Sequence, residues 1–330
     1  MSLDLSVIVV TWNAKKFVDD NFSSILADLR GLSSEVIAVD NASTDGTADM
    51  IAKRFPEVKL IRSLKNLGFA RANILAIQKS QGRYVSLVNP DVRVLPGCFR
   101  ILMDYLENNP KVGVVGPKTF NPDGSLQRSC MRAPSVWVSF CRALALDKTP
   151  LGRTPLFGGI SMADFDHVKA RQVDVLNGAF LMIRSAAMDQ VGLIDERFFM
   201  YGDDLDWCVR FGKAGWPVVF YPEAEIVHYG GGVTARAPVY FYVEMHKANL
   251  QYFQKHHSRL GQLGFLAALL LHDSIRYIAF SALSLLGPLW CDRVGWKAQR
   301  SMACIRWVLN SKEQLLETGS AGRSDITSAS

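Results

Sequence analysis

The chain lacks the two glycine signatures that commonly cradle nucleotides. No G-x-G-x-x-G follows its first apolar run, and no G-x-x-x-x-G-K-[ST] occurs anywhere in its 330 residues. That disfavours a nicotinamide dehydrogenase and a P-loop NTPase. A nucleotide bound here would be held by side chains and a metal instead. Cysteine is scarce and scattered. Cys98, Cys130, Cys141, Cys208, Cys291 and Cys304 form no C-x-x-C pair and no Cys/His cluster at zinc spacing, which favours reduced, shielded thiols over disulfides. The opening Met1-Ser2-Leu3-Asp4 has no basic n-region, so a cytoplasmic location is expected.

Long uncharged runs are also missing. Leu263–Leu271 is nine residues without charge and Tyr277–Trp290 fourteen, whereas a spanning helix needs about 20. Asp273 and Arg276, between them, make a single span costly. Basic excess is absent from most of the sequence. The net charge is +6, but from Gln251 to Ser311 seven basic residues (Lys255, Arg259, Arg276, Arg293, Lys297, Arg300, Arg306) meet only Asp273 and Asp292. Basic residues interleaved with apolar stretches suit an anionic membrane surface better than nucleic acid. The expectation is an interfacial helix pair, peripheral on the cytoplasmic face of the inner membrane, flanked by Lys297, Arg300 and Arg306. A homodimer contact or a helical cap is the competing reading.

What is present is an ordinary globular balance, 49% hydrophobic and 21% charged, enough for a sizeable core. Short β-branched apolar runs at Ser6–Val10, Val36–Val39, Val58–Ile61, Tyr84–Val88 and Val112–Val115 read as buried strands. Helical spacing at Lys16–Leu29, Ala48–Phe55, Phe69–Lys79 and Cys98–Glu107 separates them. The alternation predicts an α/β fold with a doubly wound, mainly parallel, Rossmann-like sheet. Further on, Val173–Ile183 reads as one strand with a bend at Asn177-Gly178, and Ser185–Val191 as a short helix capped by Ser185. The expected organisation is an α/β domain over residues 1–240, a helical, basic and apolar region over 241–316, and a disordered tail over 317–330.

Ligands of such sheets collect at the carboxyl ends of strands. Three strand ends here are polar: Thr11-Trp12-Asn13, Asp40-Asn41 and Asn89-Pro90-Asp91. A strand ending in Asp can accept both hydroxyls of a ribose. The richest segment is Gly202–Arg210, where Asp203, Asp204 and Asp206 crowd the start of a helix. Helix capping needs one acid, not three. Asp206 and Arg210 are spaced to pair, which leaves Asp204 facing whatever the helix end overlooks. Repulsion raises the pKa of such a carboxylate and the helix dipole lowers it. The balance suits a general base for a hydroxyl proton.

Taken in order, Ser6–Asn13, Asp40–Thr47, Asn66–Asn73, Leu87–Asp91, Asn177–Ala179, Tyr201–Arg210 and Val227–Gly232 resemble the motifs of inverting nucleotide-sugar glycosyltransferases of family 2, with the GT-A fold. The resemblance covers roughly residues 5–235. The Asn-Pro-Asp form is similar to that of rhamnosyltransferases using a dTDP-L-rhamnose donor. The resemblance implies that Thr11, Asn13 and Asp40 bind base and ribose, with Asn66 and Arg71 nearby and Asn89 beside the donor. It implies that Asp91 and His228 hold a divalent cation, Mg²⁺ or Mn²⁺, on the diphosphate, and that Asp204 is the catalytic base. Asp203, Asp206, Trp207 and Arg210 would support or contact the acceptor, a glycan or lipid-linked saccharide in cell-surface polysaccharide synthesis. A UDP-sugar donor, or a non-catalytic sugar-nucleotide-binding relative, is the alternative.

One departure stands out. Family members commonly carry two acids in an Asp-x-Asp at this strand end, and Asn89 replaces the first. A single carboxylate weakens cation binding. His228 could instead be a hydrogen-bonded strand-end histidine, Trp207 a core residue, and Gly230-Gly231-Gly232 an ordinary turn rather than a loop hinge.

Overall fold

The computed structural model describes residues 3–198, 200–230 and 237–310. Its contacts divide the chain into two units, Met1–Pro134 with Leu146–Val233, and Ser135–Ala145 with Thr234–Ser330. The expected disordered tail and the last two glycines of the expected hinge lie outside the described residues.

The first unit opens with the predicted alternation: β1 (Leu5–Thr11), α1 (Val18–Asp28), β2 (Ser34–Asp40), α2 (Thr47–Arg54), β3 (Lys59–Arg62), α3 (Gly68–Ile77) and β4 (Tyr84–Val88). Then come β5 (Val92–Val94), α4 (Cys98–Asn108), β6 (Val114–Phe120), β7 (Leu126–Gln127) and β8 (Cys130–Met131). Helix α5 (Val136–Ala143) belongs to the second unit. The first unit resumes with β9 (Arg171–Val173), β10 (Val175–Leu176), β11 (Phe180–Arg184), α6 (Ser185–Val191), α7 (Asp203–Lys213) and β12 (Val218–His228).

The main sheet runs β3-β2-β1-β4-β11-β6-β12-β5. Its first half is parallel, as the crossover helices require. Every residue of β1 is buried, which is why its centre, Val7–Val10, is apolar with no alternation. Strand β11 enters antiparallel between β4 and β6, while β6 and β12 are parallel. The fold class read from the sequence is the one observed.

Two local expectations are corrected. Val173–Ile183 is not one bent strand but parts of three, β9, β10 and β11, in different pairings. The Asn177 side chain accepts the Ala179 N–H at 2.8 Å, which closes the turn between β10 and β11. Ser185 does not cap α6 either. Arg184 takes the cap position, and the Ser185 hydroxyl donates to the Gly82 carbonyl at 2.8 Å.

The second unit packs α5 with α8 (Pro238–His256), α9 (Arg259–Ser284) and α10 (Pro288–Asn310). The two apolar stretches expected as a helix pair are divided differently. A single helix, α9, runs through His272, Asp273 and Arg276, and the break falls later, between Ser284 and Pro288. The polar residues do not interrupt α9 because His272 and Asp273 turn inward, where the Tyr242 hydroxyl donates to Asp273 at 2.9 Å. Leu260, Leu263, Leu271, Ile275 and Ile278 face outward. By length and composition α9 is apolar enough to cross a membrane, with 28% of its most apolar window buried.

One buried acid couples the first unit to pH. Glu35, on β2, accepts the Ser6 hydroxyl at 2.6 Å, the Gln81 N–H at 2.8 Å and the Lys59 ammonium at 2.7 Å. Burial alone would raise its carboxyl, but these bonds from Lys59, Ser6 and Gln81 outweigh burial and hold it below the ordinary 4.5. An acid whose pKa is lower folded than unfolded stabilises the fold above its unfolded value. It loses that contribution as pH falls through the folded value. Thermal melts from about pH 6 down to about pH 3 should therefore show the advantage of wild type over Glu35→Gln shrinking with acid. A gap independent of pH would contradict the ionised Glu35.

Candidate active site

The parallel register of β1 and β2 sets Thr11 beside Asp40 at their carboxyl ends. The Thr11 hydroxyl donates to one Asp40 oxygen at 3.3 Å, and the Ser43 N–H to the other at 3.0 Å. Each oxygen keeps a lone pair for an incoming hydroxyl. Asn13 adopts a left-handed backbone, φ 49°. Its side-chain oxygen accepts the Thr44 N–H at 2.8 Å, and its own N–H donates to Ser43 Oγ at 2.9 Å. The loops after the first two strands are thus tied together. Asn66 is spent on the loop that starts α3: its Oδ1 accepts from the Gly68 N–H and from Asn41, both at 2.9 Å. Arg71 pairs with Glu196 at 2.8 Å on an exposed surface.

The Asn89-Pro90-Asp91 end of β4 is a tight turn closed by the Val92 N–H on the Asn89 carbonyl at 3.2 Å. Asn21, buried on α1, holds it from below by donating to the Asn89 and Val92 carbonyls at 3.1 and 2.7 Å. After the turn β5 pairs antiparallel with the end of β12, which sets His228 opposite Val92. The Tyr229 N–H then donates to the Asp91 carbonyl at 2.9 Å. This seam brings His228 Nε2 within 3.4 Å of Asp91 Oδ1. The other ring nitrogen, Nδ1, lies 2.6 Å from Gln127 Oε1. An imidazole that donates from Nδ1 carries its lone pair on Nε2. Two acceptors would then face one another, an arrangement that suits a cation shared between them. The oxygen and imidazole donors fit Mg²⁺ or Mn²⁺, and the separation is near the ~3 Å between neighbouring ligands of an octahedral ion with 2.0–2.1 Å bonds.

Gly202, with φ 78°, caps the start of α7, so none of its three acids serves as the cap. Asp204 is half-buried and accepts the Gly178 N–H and the Leu205 N–H, each at 2.8 Å. Burial raises its carboxyl above the ordinary 3.8, against the opposing pull of those N–H groups. Asp203, buried beside it, is raised further, first by burial and then by the Asp204 charge. The two strands meeting here also fix where Asp204 sits. Ala179, next to Gly178, accepts the Asn89 N–H at 2.9 Å. The turn carrying Asp91 and the acid at the head of α7 therefore flank one segment, Asn177–Ala179, at one end of the sheet.

Asp206 and Trp207 of α7 turn inward. Asp206 is wholly buried and pairs with Arg210 at 2.9 Å. Arg210 also donates to the carbonyls of Val191 and Leu193, at 2.9 and 2.7 Å. Trp207 is 1% exposed and donates its indole N–H to Gly192 at 2.8 Å. Of the two readings of Trp207, acceptor contact and core residue, this burial fits the core residue. Arg210, paired with Asp206, clamps the turn after α6.

Two residues at the site escaped the sequence reading, Asn21 and Gln127. A lone amide on a helix or a two-residue strand carries no recognisable pattern. In the second unit, His246, Asp273 and Cys304 bring ligand atoms within 4.8 Å of one another, all buried. Burial is the main cause that lowers His246 and raises Asp273, and the positive charge of Arg142, His272 and Arg300 also opposes protonation of His246.

The mixed, mostly parallel sheet carries the candidate site's acids and amides at one end. Among solved structures, the fold is similar to the mannosyltransferase PcManGT from Pyrobaculum calidifontis in complex with GDP-Man and Mn²⁺, with a TM-score of 0.57 at 16% identity over 97% of this chain and 88% of that one. Residues 6–169 match the family model described as glycosyl transferase family 2. The chain is 33% identical over 266 residues to the N-acetylglucosaminyl-diphospho-decaprenol L-rhamnosyltransferase of Mycobacterium tuberculosis, covering 77% of this chain and 85% of that protein. It is 22% identical over 215 residues to the low-salt glycan biosynthesis hexosyltransferase Agl10 of Haloferax volcanii, covering 63% and 61%. The chain belongs to glycosyltransferase family 2.

The inward roles on α7 are separable from chemistry. Asp206→Ala leaves the largely buried Arg210 guanidinium without its anion and should cost about 3–5 kcal/mol in urea unfolding. The double variant Asp206→Ala/Arg210→Met should recover part of that loss. A double-variant loss equal to the sum of the Asp206→Ala and Arg210→Met losses would show that the pair does not act as a unit.

Proposed function

We propose that this glycosyltransferase moves L-rhamnose from dTDP-L-rhamnose to a hydroxyl of a lipid-linked saccharide, with inversion at the sugar carbon, in building a cell-surface polysaccharide. The observation that carries the reading is the junction at Asn177–Ala179, where the Gly178 N–H bonds Asp204 and the Ala179 carbonyl accepts from Asn89, two residues before Asp91. The donor and acceptor rest on the likeness to the mycobacterial rhamnosyltransferase. Asp40, with Thr11 behind it, offers acceptor oxygens to the ribose hydroxyls, and the Asn13 loop borders the base. Asp91 and His228 would hold a divalent cation, which supplies positive charge against the departing diphosphate.

Asp204 takes the proton of the acceptor hydroxyl. Burial has raised its basicity, and the two N–H bonds keep its carboxylate aimed. As the hydroxyl oxygen bonds to the anomeric carbon, the bond to the dTDP oxygen breaks on the opposite face. A single positioned base on one face gives inversion through an oxocarbenium-like state. The outward apolar face of α9, with Leu260 and Ile278 among its most exposed residues, supports a peripheral position on the cytoplasmic face of the membrane, near a lipid-linked acceptor.

Acceptor-dependent dTDP release from dTDP-L-rhamnose is the test. Asp204→Asn should lower transfer by about 10²–10⁴-fold while donor affinity, read by calorimetry, stays near wild type. Full activity in that variant removes Asp204 as base. Turnover of a UDP-sugar in place of dTDP-L-rhamnose overturns the donor, and binding without turnover of any donor favours a non-catalytic relative.

A further inference from the structure

The cation reading leaves one question: how a site with a single carboxylate, Asp91, and asparagine where a second acid usually stands keeps its neutral ligand in the right form. An imidazole serves as a ligand only through a nitrogen free of hydrogen, so the ring's tautomer decides whether Nε2 of His228 can contribute. We infer that Gln127 is the positioning residue that sets this tautomer, holding the proton on Nδ1 so that Nε2 presents a lone pair beside Asp91. The inference rests on the proposal that Asp91 and His228 hold the cation.

The argument starts in the hairpin between β6 and β7. Asn121 closes it through a backbone bond to Ser125 at 2.8 Å and a side-chain bond from Nδ2 to Ser125 Oγ at 2.9 Å. Asp123 accepts the Ser125 N–H at 2.9 Å, and Gly124 supplies the left-handed residue, φ 81°. This leaves Asn121 Oδ1 facing along the hairpin, where it accepts from Gln127 Nε2 at 2.8 Å. The same Nε2 donates to the His228 carbonyl at 3.2 Å. Both of these partners are acceptors, so the amide cannot be turned over without setting oxygen against oxygen twice. Its orientation is therefore fixed by chemistry, and Oε1 is the atom left 2.6 Å from His228 Nδ1. An amide oxygen can only accept, so the ring must donate from Nδ1. Nε2, on the opposite side of the ring, lies 3.4 Å from Asp91 Oδ1. The hairpin, Gln127, His228 and Asp91 form one line of hydrogen-bond logic that ends at the candidate cation position.

Partners of this kind behind a metal-bound histidine typically alter affinity by about 10–100-fold when removed. The full-length protein with ¹⁵N-labelled histidine, compared with His228→Gln to assign the signal, should show His228 as the Nδ1–H tautomer at alkaline pH. Gln127→Met, which keeps the length and removes the acceptor, should lose that signature and weaken binding of Mn²⁺ alone by about 10–100-fold in calorimetry. An Nε2–H signature in wild type, or a Met variant with unchanged spectrum and affinity, overturns the inference. The wild-type spectrum decides even if a variant fails to fold. Asp91→Ala separates the two claims: Mn²⁺ binding indifferent to Asp91 sinks the cation reading, while the tautomer spectrum still judges Gln127.

Discussion

The approach of the Gly178 N–H to the Asp204 carboxylate is the contact on which the candidate site depends. A Cβ at residue 178 would lie 3.2 Å from both Asp204 Cβ and Oδ2, so a side chain there would push the acid away from the backbone that aims it. The neighbours leave little slack. Asn177 donates its N–H to the Ser129 carbonyl at 2.8 Å and folds its side chain onto Ala179, and Ala179 holds the end of β4. Antiparallel entry of β11 beside β4 is what makes this meeting geometrically available. A wholly parallel sheet would have sent the start of that strand to the opposite edge.

Most strands that were legible from the sequence are buried on both faces; the edge strand β3, read from Val58–Ile61, is partly exposed. β1 and β4 have no solvent side, so their composition alone marks them. The short strands were not legible because two or three residues, as in β5, β7 and β8, cannot express a period. Part of the site was legible for a different reason. Asp40, Asp91 and Asp204 are acids where an element ends, and a charge at such a place is conspicuous. The phase of α7 was harder to read. Acids lie on both of its faces, so the letters do not say which side looks inward, and Trp207 turns out to be covered. Asn21 and Gln127 act through amides that are common on any surface, and their importance comes from partners 68 to 101 residues away.

The C-terminal helices show the same limit in reverse. Charged letters within α9 read as interruptions in a linear count, yet helical geometry gathers His272 and Asp273 on the inner side and leaves the outer side apolar. Linear spacing and face are different quantities. On that inner side the Tyr242 hydroxyl donates to Asp273, and the helix continues for 26 residues without a break.

Asn21 carries a consequence for anyone who would move this chemistry elsewhere. The Asn-Pro-Asp turn does not hold itself; a buried amide on the first helix supplies two of its hydrogen bonds. Transplanted as a tripeptide onto a foreign scaffold, the turn would arrive without that prop, and its carboxylate would have no fixed direction. The smallest portable piece is therefore a strand end together with the helix turn, 68 to 71 residues away in the chain, that carries Asn21.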